Sequence, residues 1–386
     1  MKSSTAAEDF ERFLATSTGA ESQLTNLDNF CFVETSPVAC ACASHAGKFL
    51  PTTIFSLQVL HAMTGYEGIT TRWLVEDARE DHVPRIRELF EAVFKHEMSA
   101  AHWEWKYGDG RGAGVIVREG EEIVSYFGGM ERRIIFKGEP AIAFQSGDSM
   151  VAEKHRGTLS KKGPFFLSVA AFQDRYLGYG RPYLISYGFP NERAMRLAEH
   201  LGMYVEIGTL VDVSWKAKIT REFDSEEFDF ESPRHQQVLA QLWTAMAAQF
   251  SDRAIGVRDL NYLRHRYHEH PALSYRLHLV SRASDEEIVG LLVTRPVNEK
   301  LMLVDIVSTR DNVRNLISFG QQLASDLHCS EMFGWLTQVD CPLLAETGVS
   351  IGDTPLRLPF GVYREGLNPE EIRDKWFFMC GDSDFL

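Results

Sequence analysis

No stretch of the sequence approaches the roughly 20 consecutive apolar residues that a membrane-spanning helix needs, so a membrane is not expected as a partner. Positive charge is in deficit as well: 40 Lys and Arg stand against 54 Asp and Glu, a net charge of −14 at pH 7. A surface of that sign repels polyanions, which removes nucleic acid from the expected partners. Cysteine is sparse, and Cys31, Cys40, Cys42, Cys329, Cys341 and Cys380 are too scattered for a disulfide framework or a zinc ribbon. The tight group Cys40-Ala-Cys42 has His45 nearby but no fourth ligand at a usual spacing, so no metal is expected. The polar residues 1–26 lack the apolar core of a signal peptide. A cytoplasmic address is expected by default.

What is present is the composition of an ordinary globular protein, 44% hydrophobic and 24% charged, over a length of 386 residues that exceeds one average core. Two domains are expected, and the chain repeats itself. Trp103-Glu-Trp-Lys-Tyr107 and Leu263-Arg-His-Arg-Tyr267 are 160 positions apart. Each is followed by an alternating segment, a turn (Gly-Glu-Glu or Asp-Glu-Glu), and a second alternating segment, the pattern of a β-hairpin. Apolar strands carrying Asp148 and Asp305 come next, and each half then shows a helix, a strand and a short helix ending at Gly202 or Gly348. The fold class read from this is mixed α/β, with a largely antiparallel central sheet in each half. The divisions read from the sequence are an extension over 1–72, a first domain over 73–219, an acidic linker over 220–233 and a second domain over 234–386. Within the extension, residues 53–63 read as a short helix and the first twenty-five as loose.

The segment from Ala141 to Met203 carries the chemistry. A strand runs through Met150 and Val151 into a turn holding Lys154, Arg156, Gly157, Thr158, Lys161, Lys162 and Gly163. Pro164 then opens a helix on which Phe166, Val169, Ala170 and Gln173 recur at helical spacing. A helix start directs unpaired N–H groups and a positive dipole end at the preceding loop. Four cations crowd that loop in a protein that is otherwise acidic. A pyrophosphate or similar anion is the expected ligand, and a basic turn that only caps a core helix is the structural alternative. Five residues separate Gly157 from Gly163, so this is not a P-loop, and the glycine-rich 108–114 leads into a strand and so is no dinucleotide fingerprint. A second strand ends at Tyr187, followed by Gly-Phe-Pro-Asn191, where Asn191 can cap a helix whose Met195, Ala198 and Leu201 share a face.

Residues 85–215 resemble the GNAT acyltransferase superfamily, through the strand, the Arg-Gly phosphate turn with its long helix, the Asn-led helix and the Leu-Gly ending. The second repeat resembles it in outline. The resemblance implies a tandem GNAT protein in which the backbone of Met150 and Val151 pairs with a pantetheine arm. Arg156, Gly157, Thr158, Lys161, Lys162 and Gly163 would hold the pyrophosphate of acyl-coenzyme A, and Asn191 would contact the same co-substrate. Two departures stand out. The turn is longer than the usual Arg-Gly-x-Gly/Ala, and Ala198 occupies the place where many members carry the tyrosine that protonates the leaving thiolate.

An amine nucleophile must lose a proton, and a thiolate of pKa near ~8.5 must leave. Asp148 is the candidate base and Tyr187 the candidate acid, each with an ordinary structural role as its alternative. Trp103, Trp105 and Tyr107 are candidates to line an acceptor pocket, while His155 and His200 read as surface residues. The second repeat has Arg310, Asp311 and Arg314 at its turn and no glycine before the helix, so it is not expected to bind coenzyme A. It would serve as a wall of the acceptor site or as the surface of a homodimer.

The function this implies is acyl-CoA-dependent N-acyl transfer, acetyl first among the acyl groups, to an amine of a small molecule or sugar nucleotide in a ternary complex. The alternative is an acyl-CoA-binding or scaffold protein without turnover. A third reading, aminoacyl-tRNA-dependent transfer to a cell-wall precursor, is opposed by the negative charge.

Overall fold

The computed structural model describes residues 72–156, 161–363 and 366–384. From Trp73 onward the chain forms one compact unit. The short helix expected over 53–63, the loose start, and the group of Cys40, Cys42 and His45 lie outside the described residues. Among the described residues the strands form two seven-stranded sheets. The first orders β1 (Leu74–Asp77), β2 (Gly112–Glu119), β3 (Glu122–Phe136), β4 (Glu139–Val151) and β5 (Ile185–Tyr187). The far end of β3 also pairs with β8 (Ala254–Gly256), which pairs with β14 (Trp376–Phe377). The second sheet runs β13 (Ser350–Gly361), β6 (Tyr204–Lys216), β12 (Glu331–Thr337), β11 (Lys300–Val307), β10 (Ile288–Val297), β9 (Arg276–Arg282) and β7 (Phe223–Glu227).

The repeat read from the sequence is present as two mixed sheets of the same plan. In each, two hairpin-linked strands lead to a third (β2, β3, β4 and β9, β10, β11), a helix follows, and the next strand returns parallel to the third. The halves also exchange elements. Strand β6 lies within 73–219, read as the first domain, yet pairs with β12 and β13 of the second sheet, and β8 and β14 from the second half extend the first sheet. Residues 220–233, read as a linker, carry β7, which pairs along the edge of β9. Their acidic side chains suit an edge strand with a solvated face as well as they suit a loop, and composition alone does not separate the two.

Four helices position the site. Helix α1 (Val83–Phe94) buries Ile86, Leu89 and Phe90, one face at i, i+3, i+4, against Tyr107, Ile116, Tyr126 and Met150. Helix α2 (Ala100–Tyr107) is capped by Ser99, whose hydroxyl accepts from the His102 amide at 3.1 Å. Helix α3 (Pro164–Tyr176) lays Phe166, Val169, Ala170 and Phe172 on Val115, Phe127 and Phe144 of the sheet. Helix α4 (Glu192–His200) starts at Asn191, whose side chain accepts from the Ala194 amide at 2.9 Å, and it buries Met195 and Ala198. Beyond it, Gly202 takes a left-handed φ of 71°.

Candidate active site

Strand β4 is bulged where the site lies. Tyr126 pairs with Met150 and Gly128 with Gly147, so Asp148 and Ser149 together oppose Phe127. Asp148 takes up the extra residue with φ of 50°. Glycine is required opposite: a Cβ on Gly129 would sit 2.0 Å from the Gln145 carbonyl oxygen. The bulge turns the Asp148 carboxylate toward α2, where Oδ2 accepts from Lys106 Nζ at 2.6 Å and from the Tyr107 hydroxyl. Lys106 also pairs with Asp384. Burial alone would favour the neutral amine of Lys106, but the two carboxylates outweigh it and hold the group above its ordinary pKa. Burial raises the Tyr107 hydroxyl well above the phenol range, and Asp148 adds to that.

The second half repeats the pair. There the Tyr267 hydroxyl donates to Asp305 Oδ2 at 2.7 Å, and the cation is Arg258, which bonds Asp305 at 2.8 Å and Asp382 at 2.7 Å. Asp382, gripped by Arg258 and Arg132 against the cost of its burial, is held below the usual carboxylate range, whereas burial pushes Asp305 above it. Trp105 and His265, 160 positions apart, meet directly: the indole N–H donates to the His265 carbonyl at 2.8 Å and the rings stack. The segment 376–384 threads between the halves. It gives Asp382 to the arginines, Asp384 to Lys106, and the carbonyls of Gly381 and Ser383 to Arg266.

Strands β4 and β5 pair in parallel over Ala143–Gln145 and Ile185–Tyr187 and then part. The chain after β5 follows β13, with the Arg357 amide donating to Pro190 at 3.0 Å and Asn191 bridging to Leu356. Strand β4 stays with β3. Strands β11 and β12 part in the same way after Met302 and Phe333, but there the chain's own tail enters. The Trp335 amide donates to Cys380 Sγ at 3.2 Å, the Thr337 amide donates to the Phe378 carbonyl at 3.3 Å, and Leu336 bridges to Met379.

The turns before the two helices differ as well, though neither helix has a side-chain cap. Gly163 precedes α3 without any side-chain cap, and Arg156, Lys161 and Lys162 are exposed around it. Arg156 Nε donates to the Val151 carbonyl at 3.1 Å. Gly157 and Thr158 lie outside the described residues. In the second half the Arg310 amide, at the start of the turn that leads to α7 (Val313–Asp326), is already taken by Gln249 Oε1 at 2.6 Å, from the end of α5 (Pro233–Gln249).

A cavity of about 370 Å3 lies between the halves, walled by β3, the Trp105 face of α2, the segment 261–269 and the tail. Of the three aromatic residues expected to line an acceptor pocket, only Trp105 reaches it. Trp103 and Tyr107, one helical turn apart, face the opposite side and pack on Tyr126 and one another. Tyr187 is 1% exposed behind Trp376 and Phe378. Its hydroxyl, raised far above the phenol range by burial, donates to Gln145 Oε1 at 3.1 Å. Gln145 in turn donates to Asp384 at 3.0 Å and lines the cavity, so Tyr187 reaches it only through Gln145. Lys106, Gln145, Arg132 and Asp384 were not singled out from the sequence. Lys106 stood inside a quoted motif, and the others gave no local signal because their partners are up to 250 positions away. His200 is exposed, but His155 is buried against Trp73 and 3.3 Å from Glu119, which corrects its reading as a surface residue.

By sequence, residues 75–163 match the acetyltransferase (GNAT) domain model. That match places the likeness to GNAT domains in the first half of the chain. Among solved structures it is similar to a probable N-acyltransferase from Enterococcus faecalis V583, at 11% identity over 76% of this chain and 72% of that one, TM-score 0.57. It is also similar to a GCN5-related N-acetyltransferase from Anabaena variabilis ATCC 29413, at 11% identity over 76% and 73%, TM-score 0.54. At that identity the likeness is one of fold, and it agrees with two GNAT-like sheets in tandem. No curated protein matches the chain in sequence. Among the described residues no three His, Cys, Asp or Glu are grouped to hold a metal ion, and no helix is long and apolar enough to cross a membrane.

Proposed function

We propose that the protein is an acyl-CoA-dependent N-acyltransferase, using acetyl-CoA or another short acyl-CoA, with its site in the first half and a small amine as acceptor. The observation that carries this reading is the contrast between the two strand partings. One is plugged by residues 378–380, and the other lies beside a helix start whose turn carries the exposed cations Arg156, Lys161 and Lys162. The residues present suit the co-substrate. The first-turn amides of α3 with Arg156, Lys161 and Lys162 would take the pyrophosphate, with Gly157, Thr158 and Gly163 completing the turn. The β4 edge at Met150 and Val151 and the Asn191 segment would flank the pantetheine arm. Acyl-CoA supplies an activated thioester.

The chain's own residues then have two tasks. Both bonds to Asp148 fall on Oδ2, which leaves Oδ1 to receive a proton from the attacking amine, directly or through water. Lys106 fixes that carboxylate in place. With its raised pKa, Tyr187 is a poor proton donor to a thiolate, and its role here is to orient Gln145 at the cavity. Arg132 of the first half, on the cavity wall, joins the Asp382–Arg258–Asp305 network of the second and so ties the halves together there. Ala198, buried where a family acid would stand, is the feature that favours binding without turnover.

Calorimetry with acetyl-CoA, paired with thiol release against a panel of amines, tests both readings. Amine-dependent release supports the enzyme; binding without release from any acceptor leaves only the binding protein. The double substitution Arg156→Glu with Lys162→Glu is expected to weaken acetyl-CoA binding by more than tenfold. Unchanged affinity would displace the pyrophosphate from this turn.

A further inference from the structure

The cavity between the halves is lined by five arginines against three carboxylates, in a protein whose net charge is −14. Three of those arginines are engaged with the fold. Arg133 pairs with Asp259 at 2.8 Å, Arg264 with Glu231 at 2.8 Å, and Arg266 holds the tail carbonyls. Arg111 and Arg132 differ. Arg132 is 7% exposed; one terminal nitrogen donates to the Val257 carbonyl at 2.8 Å, the other to Asp382 at 3.1 Å, and its buried Nε has no acceptor. Arg111 donates to Asp109 and to the Glu104 carbonyl, each at 3.1 Å, and its Nε too is buried without an acceptor. Those Nε atoms are closed off from the cavity, but each of the two guanidiniums has five N–H donors and spends only two within the protein, which leaves donors at the lining for an anion.

We propose that this cavity is the acceptor site and that it selects acceptors carrying an oxyanion, a phosphate or a carboxylate, beside the reacting group. Arg111 and Arg132 hold that oxyanion through charge-assisted hydrogen bonds. The planes of Trp105 and of Tyr262, over whose ring the Arg132 guanidinium sits at 3.7 Å, give the rest of the molecule an apolar wall. Gln145 and Asp384 line the same cavity and lead through Lys106 to Asp148, which links the anion pocket to the proposed base. A volume of about 370 Å3 lies in the range of small-ligand sites, which starts at about 300 Å3. The oxyanion stands on the cavity alone; only the reacting amine rests on the acyl-transfer reading.

The test is binding without acyl-CoA, so that it does not depend on turnover. Glucosamine 6-phosphate is titrated against glucosamine, and phenylalanine against phenylalaninamide, by calorimetry and by Trp105 fluorescence. The charged member of at least one pair is expected to bind ten times or more tighter, with affinity falling as salt rises. A preference confined to the first pair assigns a phosphate, and one confined to the second assigns a carboxylate. Arg111→Gln and Arg132→Gln are each expected to remove the preference. Because Arg132 also anchors the tail, Arg111→Gln decides if the other variant does not fold. Equal affinity within both pairs, or a preference that survives Arg111→Gln, overturns the proposal. Turnover of neutral amines with equal efficiency would overturn it while sparing the acyltransferase reading. Anion binding in a protein that takes no acyl-CoA would do the reverse.

Discussion

Lys106 shows how much one residue carries. Its ammonium is 4% exposed and neutralises two aspartates that arrive from β4 and from the tail. Replacing it with methionine leaves two buried carboxylates without their cation, and breaking a buried pair in this way costs about 3–5 kcal/mol. Lys106→Met is therefore expected to lose that much in urea denaturation, with part of it recovered when Asp384→Asn is added; a loss under about 1 kcal/mol would mean that water already screens the cluster.

The same cluster sets a pH window. Asp384 is held below its ordinary pKa because Lys106 outweighs the cost of its burial. Its contribution is present above the unfolded carboxylate value near ~3.9 and is lost as pH falls through the lower folded value. Lys106 is raised, so its contribution is complete below an unfolded value near ~10.4 and fades as pH rises through the folded one. Stability from this cluster should be level between pH 5 and 9, order-of-magnitude bounds taken from those values. Thermal denaturation across that range is the check, and a steep slope near neutrality would contradict it.

At the scale of elements, the hairpins of both halves and the helices of the first were legible because their signals are local, whereas the short helix expected to end at Gly348 is a 3-10 segment over Gln338–Leu344. Pro164 and Asn191 start helices where they stand in the sequence, and Phe166, Val169 and Ala170 bury the face their spacing marks. The exchange of β6, β8 and β14 was not legible, since a strand's alternation says which face is apolar and not which sheet receives it. The tail is the clearest case. Its apolar residues, Trp376 to Met379, stand plainly in the sequence, but nothing local says that Phe378 to Cys380 fill the parting of β11 and β12 or that Asp382 meets two arginines. Phe378 is 1% exposed among Tyr187, Phe189 and Trp376. Phe378→Ala is expected to cost about 3–5 kcal/mol of stability by chemical denaturation, as a buried phenylalanine in a well-packed core does. A cost below about 1 kcal/mol would mean that the tail is not part of the cooperative core.

For the whole molecule, the two halves share one plan and differ at the places that would bind a co-substrate. Both keep the tyrosine–aspartate bond, at separations of 41 and 38 residues, and a buried cation on the aspartate. Neither helix start has a side-chain cap, but one follows a basic turn, while the other has Gln249 bound in its turn and the tail in its strand parting. The sequence signalled that difference through the missing glycine before α7. The sequence allowed the second half to wall an acceptor site, but not which residues line the cavity, because those residues come from distant parts of the chain and meet only in the fold. The division of roles is read most directly by the stoichiometry of acetyl-CoA binding in calorimetry. One molecule per chain, lost in Arg156→Glu with Lys162→Glu, is the expected result. Two molecules per chain, or one that survives that double substitution, would contradict it.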